Sequence, residues 1–224
     1  MLETVEVRWF GRGQRPDAVA SWFQQWLDSG AEEYRADYYL LSLDRTAGMK
    51  VRGGNPTAME IKTRVGELGM MQWSDRVAGQ VERWRKWSFG VAPGDHELAR
   101  IVGSEHGGEG DSGWIEVAKR RKVARFAVAE DAQGNRVTLA TDGLAATQCA
   151  LELTALTVGN ARWWTVGYEA FGVAAELEGA LGRVVAHTIG SGVAPTLALE
   201  GSFAYPTWLS LLRAELGDAG MSGL

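Results

Sequence analysis

Apolar and polar side chains alternate residue by residue at the start of this chain. Val5, Val7 and Trp9 fall on one parity, and Thr4, Glu6 and Arg8 on the other. Neighbouring side chains of a β-strand point to opposite faces, so the run predicts a strand over Glu3–Phe10. The period then changes. Val19, Trp22, Phe23, Trp26 and Leu27 recur at helical spacing after Pro16-Asp17, with Gly30 beyond, and predict an amphipathic helix to about Leu27. Tyr38–Leu43 reads as a strand. Two stretches follow in which the alternation is between charge and hydrocarbon, Gly48-Met49-Lys50-Val51-Arg52 and Met59-Glu60-Ile61-Lys62-Thr63-Arg64. Lys50 and Arg52 share one face of the first; Glu60, Lys62 and Arg64 share one face of the second. Met49, Val51, Met59 and Ile61 take the opposite faces. The Gly53-Gly54-Asn55-Pro56 join makes the pair a hairpin candidate.

Further strands are predicted over Gln80–Phe89, Trp114–Ala129 with a break near its middle, Arg136–Ala140, Ala150–Val158 and Trp163–Glu169. Between the first two, Gly94–Val102 reads as a short helix and Ser104–Gly113 as a glycine-rich acidic loop. The last third changes character, with helices over Ala170–Ala186 and Pro206–Leu216 and a turn over Gly190–Pro195. No internal repeat is visible. The pattern predicts one domain over 1–224, its strands mostly in 3–170 and a helical C-terminal extension over 170–217. The fold class is α+β, an antiparallel sheet or barrel with flanking helices.

Charge refines this picture. The net charge of −5 argues against general nucleic-acid affinity, yet 12 of the 23 Lys and Arg fall within 50–64, 83–86 and 119–125. Local positive potential in an acidic protein suits a small anion better than a long polyanion. Cys149 is the sole cysteine, which leaves no disulfide framework or cysteine metal site. The N-terminal residues lack the pattern of a signal peptide, and no stretch approaches the ~20 apolar residues of a membrane helix. The expectation is a cytoplasmic protein with neither membrane nor nucleic-acid partner, and the oligomeric state stays open.

Some motifs match chemistry only in form. Gly108-Glu109-Gly110-Asp111-Ser112-Gly113 fits GxGxxG, but a strand, not a helix, is predicted after it, and two carboxylates occupy the loop. Gly-Asp-Ser-Gly at 110–113 resembles a serine-protease nucleophile motif without the accompanying histidine motif. His96, His106 and His187 have no metal-ligand spacing. Most of the ten tryptophans sit in predicted elements and serve a core. Trp84 differs, because it shares parity with Glu82 and Lys86 and is placed to stack on a ligand.

The paired basic residues Lys50/Arg52, Lys62/Arg64, Arg83/Arg85 and Lys119/Arg121 admit two readings. An antiparallel sheet can leave one charged face in water. Alternatively, a closed barrel would bring the pairs together on one axis, where acids or an anionic ligand must offset their repulsion. Solubilising faces usually balance the two signs, and these are biased towards basic residues.

Taken in order, the strands resemble those of the CYTH, or triphosphate tunnel metalloenzyme, superfamily. Thr4-Val5-Glu6-Val7-Arg8 stands where that family has its opening Glu-x-Glu-x-Lys strand. Lys50-Val51-Arg52, Glu60 to Arg64, Glu82 to Lys86 and Lys119 to Val123 continue the order, and Glu152 and Glu169 stand at late-strand acid positions. The resemblance implies an eight-stranded antiparallel tunnel binding the phosphates of a triphosphate-type substrate. It implies phosphate ligands at Arg8, Lys50, Arg52, Lys62, Arg64, Arg83, Arg85, Lys119 and Arg121. Glu6, Glu152 and Glu169 would hold Mg²⁺ or Mn²⁺, and Glu6, Glu60 and Lys62 would serve catalysis. The implied activity is metal-dependent phosphohydrolysis. The alternatives are a non-catalytic anion-binding tunnel and a metal-free enzyme acting on an anionic small molecule. The chain departs from the family pattern in three places: Thr4 replaces the first glutamate, Arg8 replaces the lysine, and Glu152-Leu153-Thr154 offers one carboxylate where the family has two. The missing carboxylates weaken the metal set and leave anion binding intact.

Overall fold

The structure, a computed structural model, describes residues 1–27, 32–53, 57–91, 113–129, 136–139, 145–192 and 194–221. Among the described residues there are nine strands: β1 (Leu2–Arg12), β2 (Glu33–Leu40), β3 (Ala47–Arg52), β4 (Ala58–Gln72), β5 (Ala78–Gly90), β6 (Trp114–Ala129), β7 (Arg136–Leu139), β8 (Gln148–Val158) and β9 (Ala161–Phe171). Helices α1 (Asp17–Gln24), α2 (Leu177–Gly190) and α3 (Tyr205–Met221), with short 3₁₀ turns at Ala174–Glu176 and Leu199–Gly201, complete the described elements.

Neighbouring strands run β2-β3-β4-β5-β1-β9-β8-β6, and a further antiparallel pairing of β2 with β6 closes the ring. The result is an eight-stranded antiparallel barrel. β7 hangs on the end of β6 outside the ring. Closure converts one of the two alternating faces into a lumen, so each strand carries one set of side chains inward and one outward.

The outward set of β1 explains its continuous burial. Val5, Val7 and Trp9 pack with Leu151 and Leu153 of β8, Val166 and Tyr168 of β9, and the apolar faces of α1 and α2. Val19, Trp22 and Phe23 of α1 and Leu177, Leu181, Val184 and Val185 of α2 supply the facing layer. The main core therefore lies outside the barrel, between its wall and two helices. A second core lies on inward positions at one end. There Phe10, Tyr39, Val117, Leu156 and Val158 pack on Trp208, Leu209 and Leu212 of α3. The C-terminal helix plugs that end, and Gly48 permits its approach, since a Cβ on Gly48 would sit 3.3 Å from Pro206 Cγ.

Several boundaries differ from the sequence reading. β2 begins at Glu33, earlier than the strand expected over Tyr38–Leu43, because its pairing with β6 extends back to Glu33–Arg121. β6 is continuous through its middle, held on both sides by β2 and β8. The helix expected from Ala170 begins at Leu177, because β9 stays paired to β1 and β8 as far as Phe171. The expected Gly94–Val102 helix, the Gly53–Pro56 turn beyond Gly53 and the 104–112 loop lie outside the described residues. So do all but Gly113 of the GxGxxG and Gly-Asp-Ser-Gly matches.

Candidate anion site in the barrel lumen

Residues on all eight barrel strands, together with the start of α3, line a cavity of about 130 Å³. That is well above the ~10–15 Å³ one water requires on the same measure. The lining includes seven cationic side chains, Arg8, Arg35, Lys50, Lys62, Lys86, Lys119 and Arg121, and four carboxylates, Glu6, Glu60, Glu152 and Glu169. Tyr39, Met49, Tyr205, Pro206 and Leu209 supply the apolar part.

The charges are arranged as alternating pairs. Arg8 donates to Glu152 at 2.9 Å, and Arg121 donates to the other oxygen of Glu152 at 2.6 Å. Burial pushes the Glu152 carboxyl up, but the two guanidiniums, with Lys119 behind them, outweigh it and hold the group well below the usual carboxylate range. Lys119 lies 2.9 Å from Asp37, with Lys50 at 3.2 Å and Arg35 at 3.0 Å from the same carboxylate. Asp37 is fully buried; the desolvation that raises its pKa is overcome first by Lys119 and then by Lys50 and Arg35. Lys50 and Lys86 each lie 3.1 Å from Glu60. Lys62 donates to both oxygens of Glu6, while its ammonium also lies 4.7 Å from the Trp84 ring.

Local sequence makes room for these groups. A Cβ on Gly167 would lie 2.6 Å from Arg8 Cζ, so glycine at this β9 position leaves space for the guanidinium where it lies. Arg8 continues over the ring of Tyr205, at 5.1 Å, and Lys119 sits 4.5 Å from the same ring.

Glu169 stands apart. It is the direct cross-strand partner of Glu6, and no ion pair reaches it among the described residues. Burial first, and then the negative charge of Glu6, raise its pKa. The folded state therefore holds a proton at Glu169 more firmly than the unfolded chain does. Stability is lost as pH rises from the unfolded value of about 4.3 through the folded one. Glu169→Gln removes this cost. The variant is expected to be more stable than the parent at neutral pH and nearly equal to it near pH 4, as read by urea unfolding at both pH values.

The structure does not treat all the expected phosphate ligands alike. Arg8, Lys50, Lys62, Lys119 and Arg121 face the cavity, as do Glu6, Glu60, Glu152 and Glu169. Arg83 and Arg85 do not. They occupy the outward parity of β5, where Arg83 pairs with Glu3 and Glu178 and Arg85 with Glu3. Arg52 has the inward parity but lies near Glu33, 3.6 Å away, with 42% of its side chain exposed. Arg64 is taken up by Glu82 and Glu67. Trp84 shares the inward parity and is fully buried, donating to Glu82 outside the cavity lining, so it offers no stacking face. Arg35, Asp37, Tyr39, Lys86 and Tyr205 are contributors that the sequence reading did not single out. The parity of Lys86 with Glu82 was the available signal for one of them.

The resemblance implies Mg²⁺ or Mn²⁺ at Glu6, Glu152 and Glu169. Such ions need several oxygen ligands free to coordinate. Glu152 is clamped by two arginines, both oxygens of Glu6 accept from Lys62, and burial with the charge of Glu6 raises the pKa of Glu169. Among the described residues, no three of His, Cys, Asp and Glu are grouped as metal ligands would be. This arrangement does not fit a divalent metal centre.

The closed eight-stranded antiparallel barrel with a charged lumen agrees with the fold expected from the family resemblance. No protein-family profile and no curated protein matches the chain. Solved structures similar to it include a conserved hypothetical protein from Pyrococcus furiosus (14% identity, TM-score 0.47, covering 91% of this chain and 98% of that one). A candidate adenylate cyclase from Bacillus halodurans is similar at 12% identity and TM-score 0.43, covering 86% and 94%. An S. pombe RNA triphosphatase follows at 11% identity and TM-score 0.35, covering 98% and 83%. No helix among the described residues is long and apolar enough to cross a membrane.

Proposed function

We propose that the lumen is a binding pocket for a small phosphorylated anion, held by protein cations without a divalent metal. The observation that carries this reading is the surplus of cations on one cavity of the lumen. Seven face four carboxylates, and adding Asp37 behind the wall and Glu33, which pairs with Arg35 and Arg121, still leaves one cation in excess. Buried charge of one sign is costly unless a partner offsets it. Burial, and then each other's charge in the case of Lys50, pulls the pKa values of Lys50 and Lys119 down. Phosphoryl oxygens are suited to this wall, since arginine and lysine donate to them in short charge-assisted bonds. An entering anion would share Arg8 and Arg121 with Glu152, and Lys62 with Glu6.

Isothermal calorimetry with tripolyphosphate and ATP, in EDTA and then in Mg²⁺, tests the proposal alongside a phosphate-release assay. Binding that survives EDTA, weakens with salt and is accompanied by no phosphate release is the expected result. Release of phosphate only with Mg²⁺ or Mn²⁺ would overturn the metal-free reading in favour of a phosphohydrolase. Absence of binding under every condition would sink the anion pocket itself.

A further inference from the structure

The cavity has two unlike walls. Cationic side chains from β1, β2, β3, β4, β5 and β6 make one, and the entry of α3 into the barrel end makes the other. On the second wall Tyr39 and Tyr205 stack with rings 5.5 Å apart and an interplanar angle of 3°. Pro206 and Leu209 continue that surface. An inorganic polyphosphate presents only hydrated oxygens, and oxygens pressed against hydrocarbon lose water without gaining a bond. Apolar lining with a few convergent polar groups is instead the usual form of a site for an organic molecule.

One polar atom on this wall is unspent. The Tyr205 hydroxyl oxygen is buried and has no hydrogen-bond partner, whereas the neighbouring Tyr39 hydroxyl accepts from Lys119 at 2.5 Å. Buried polar atoms are nearly always bonded, so an orphan in a cavity lining points to a ligand or water. The same ring has Lys119 at 4.5 Å and Arg8 at 5.1 Å, which sets the orphan hydroxyl beside the cations that would hold a phosphoryl group.

We infer that the occupant is an organic phosphate, with its phosphoryl group on the Arg8, Lys119 and Arg121 side and its organic body on Tyr39, Tyr205, Pro206 and Leu209. The Tyr205 hydroxyl bonds a polar atom of that body. This rests on the anion-pocket reading and specifies the class of ligand. It also gives the C-terminal helix a role in recognition, since two of the three floor side chains beyond Tyr39 lie in its first turn.

The test compares ligands matched in their phosphate portion, by calorimetry in EDTA: 4-nitrophenyl phosphate against inorganic phosphate, and ATP against tripolyphosphate. In at least one pair the organic member is expected to bind about tenfold tighter or more, the order of gain from burying an aromatic group. Tyr205→Phe, which keeps the ring and removes the hydroxyl, is expected to weaken that organic member about three- to tenfold and to leave its inorganic counterpart within about twofold. Inorganic ions that bind as tightly as their organic counterparts in both pairs would overturn the inference while leaving the anion pocket standing. An unchanged Tyr205→Phe profile would remove the assigned role of the hydroxyl. Failure of all four probes to bind would instead overturn the anion pocket on which the inference rests.

Discussion

Arg8→Ala is expected to abolish anion binding and to destabilise the barrel by about 3–5 kcal/mol, the usual cost of breaking a buried ion pair. Arg8 is only 7% exposed and, among the described residues, is the one cation that touches Glu152, Thr165 and the Tyr205 ring together. Its loss leaves Glu152 with Arg121 as its remaining guanidinium and opens a void against Gly167. The measurements are urea unfolding followed by circular dichroism, and calorimetry with the anion that binds the parent. Arg8→Lys separates the two effects. It restores the charge but not the forked geometry, so it should recover part of the stability and little of the binding. Parental binding in a folded Arg8→Ala protein would show that the lumen is not the anion site.

The second large effect is expected at Asp37. This carboxylate is fully buried and holds Arg35, Lys50 and Lys119, so Asp37→Asn leaves three clustered cations without their shared partner. A loss of about 3–5 kcal/mol is expected, and the pH dependence should carry its signature. In the parent the Asp37 pKa is depressed, so its contribution is present above the unfolded value of about 3.9 and is lost as pH falls towards the folded value. Lys50 and Lys119 behave in the opposite region. Their folded pKa values are lowered, so between those values and about 10.4 the unfolded chain binds more protons and stability rises with pH. Removing Asp37 lowers both lysines further. The variant should therefore regain stability on raising the pH from neutral to mildly alkaline, where the parent gains less. Equal pH slopes in parent and variant would contradict this account of the network.

The helices and strands that carry the wall were readable because their periods differ. Val5/Val7/Trp9 against Glu6/Arg8 is a period-two pattern, and Val19/Trp22/Phe23 a helical one; both sets appear in the structure on those elements. The residues Lys50, Glu60, Lys62, Lys119 and Arg121 were legible as inward candidates for the same reason. Arg83 and Arg85 were misplaced because a list of basic pairs ignores parity: Glu82, Trp84 and Lys86 hold the inward positions of β5, which puts the two arginines outside. Arg52 and Arg64 show a second limit. Parity sends a side chain towards the lumen, but nearby acids, Glu33 for one and Glu67 with Glu82 for the other, decide where its charged end rests.

Alternation by itself determined that charged and apolar side chains part company along each strand, because the geometry of an extended chain permits nothing else. It did not determine which face would be enclosed. That was decided by the β2–β6 pairing that closes the ring, a contact between segments some 80 residues apart with no local signature. Nor did any strand pattern announce that α3 would plug one end and bring Tyr205 beside Arg8 and Lys119. Long-range packing of the C-terminal helix made that choice, and with it turned an open charged barrel into a pocket with an anion-binding wall and an aromatic floor.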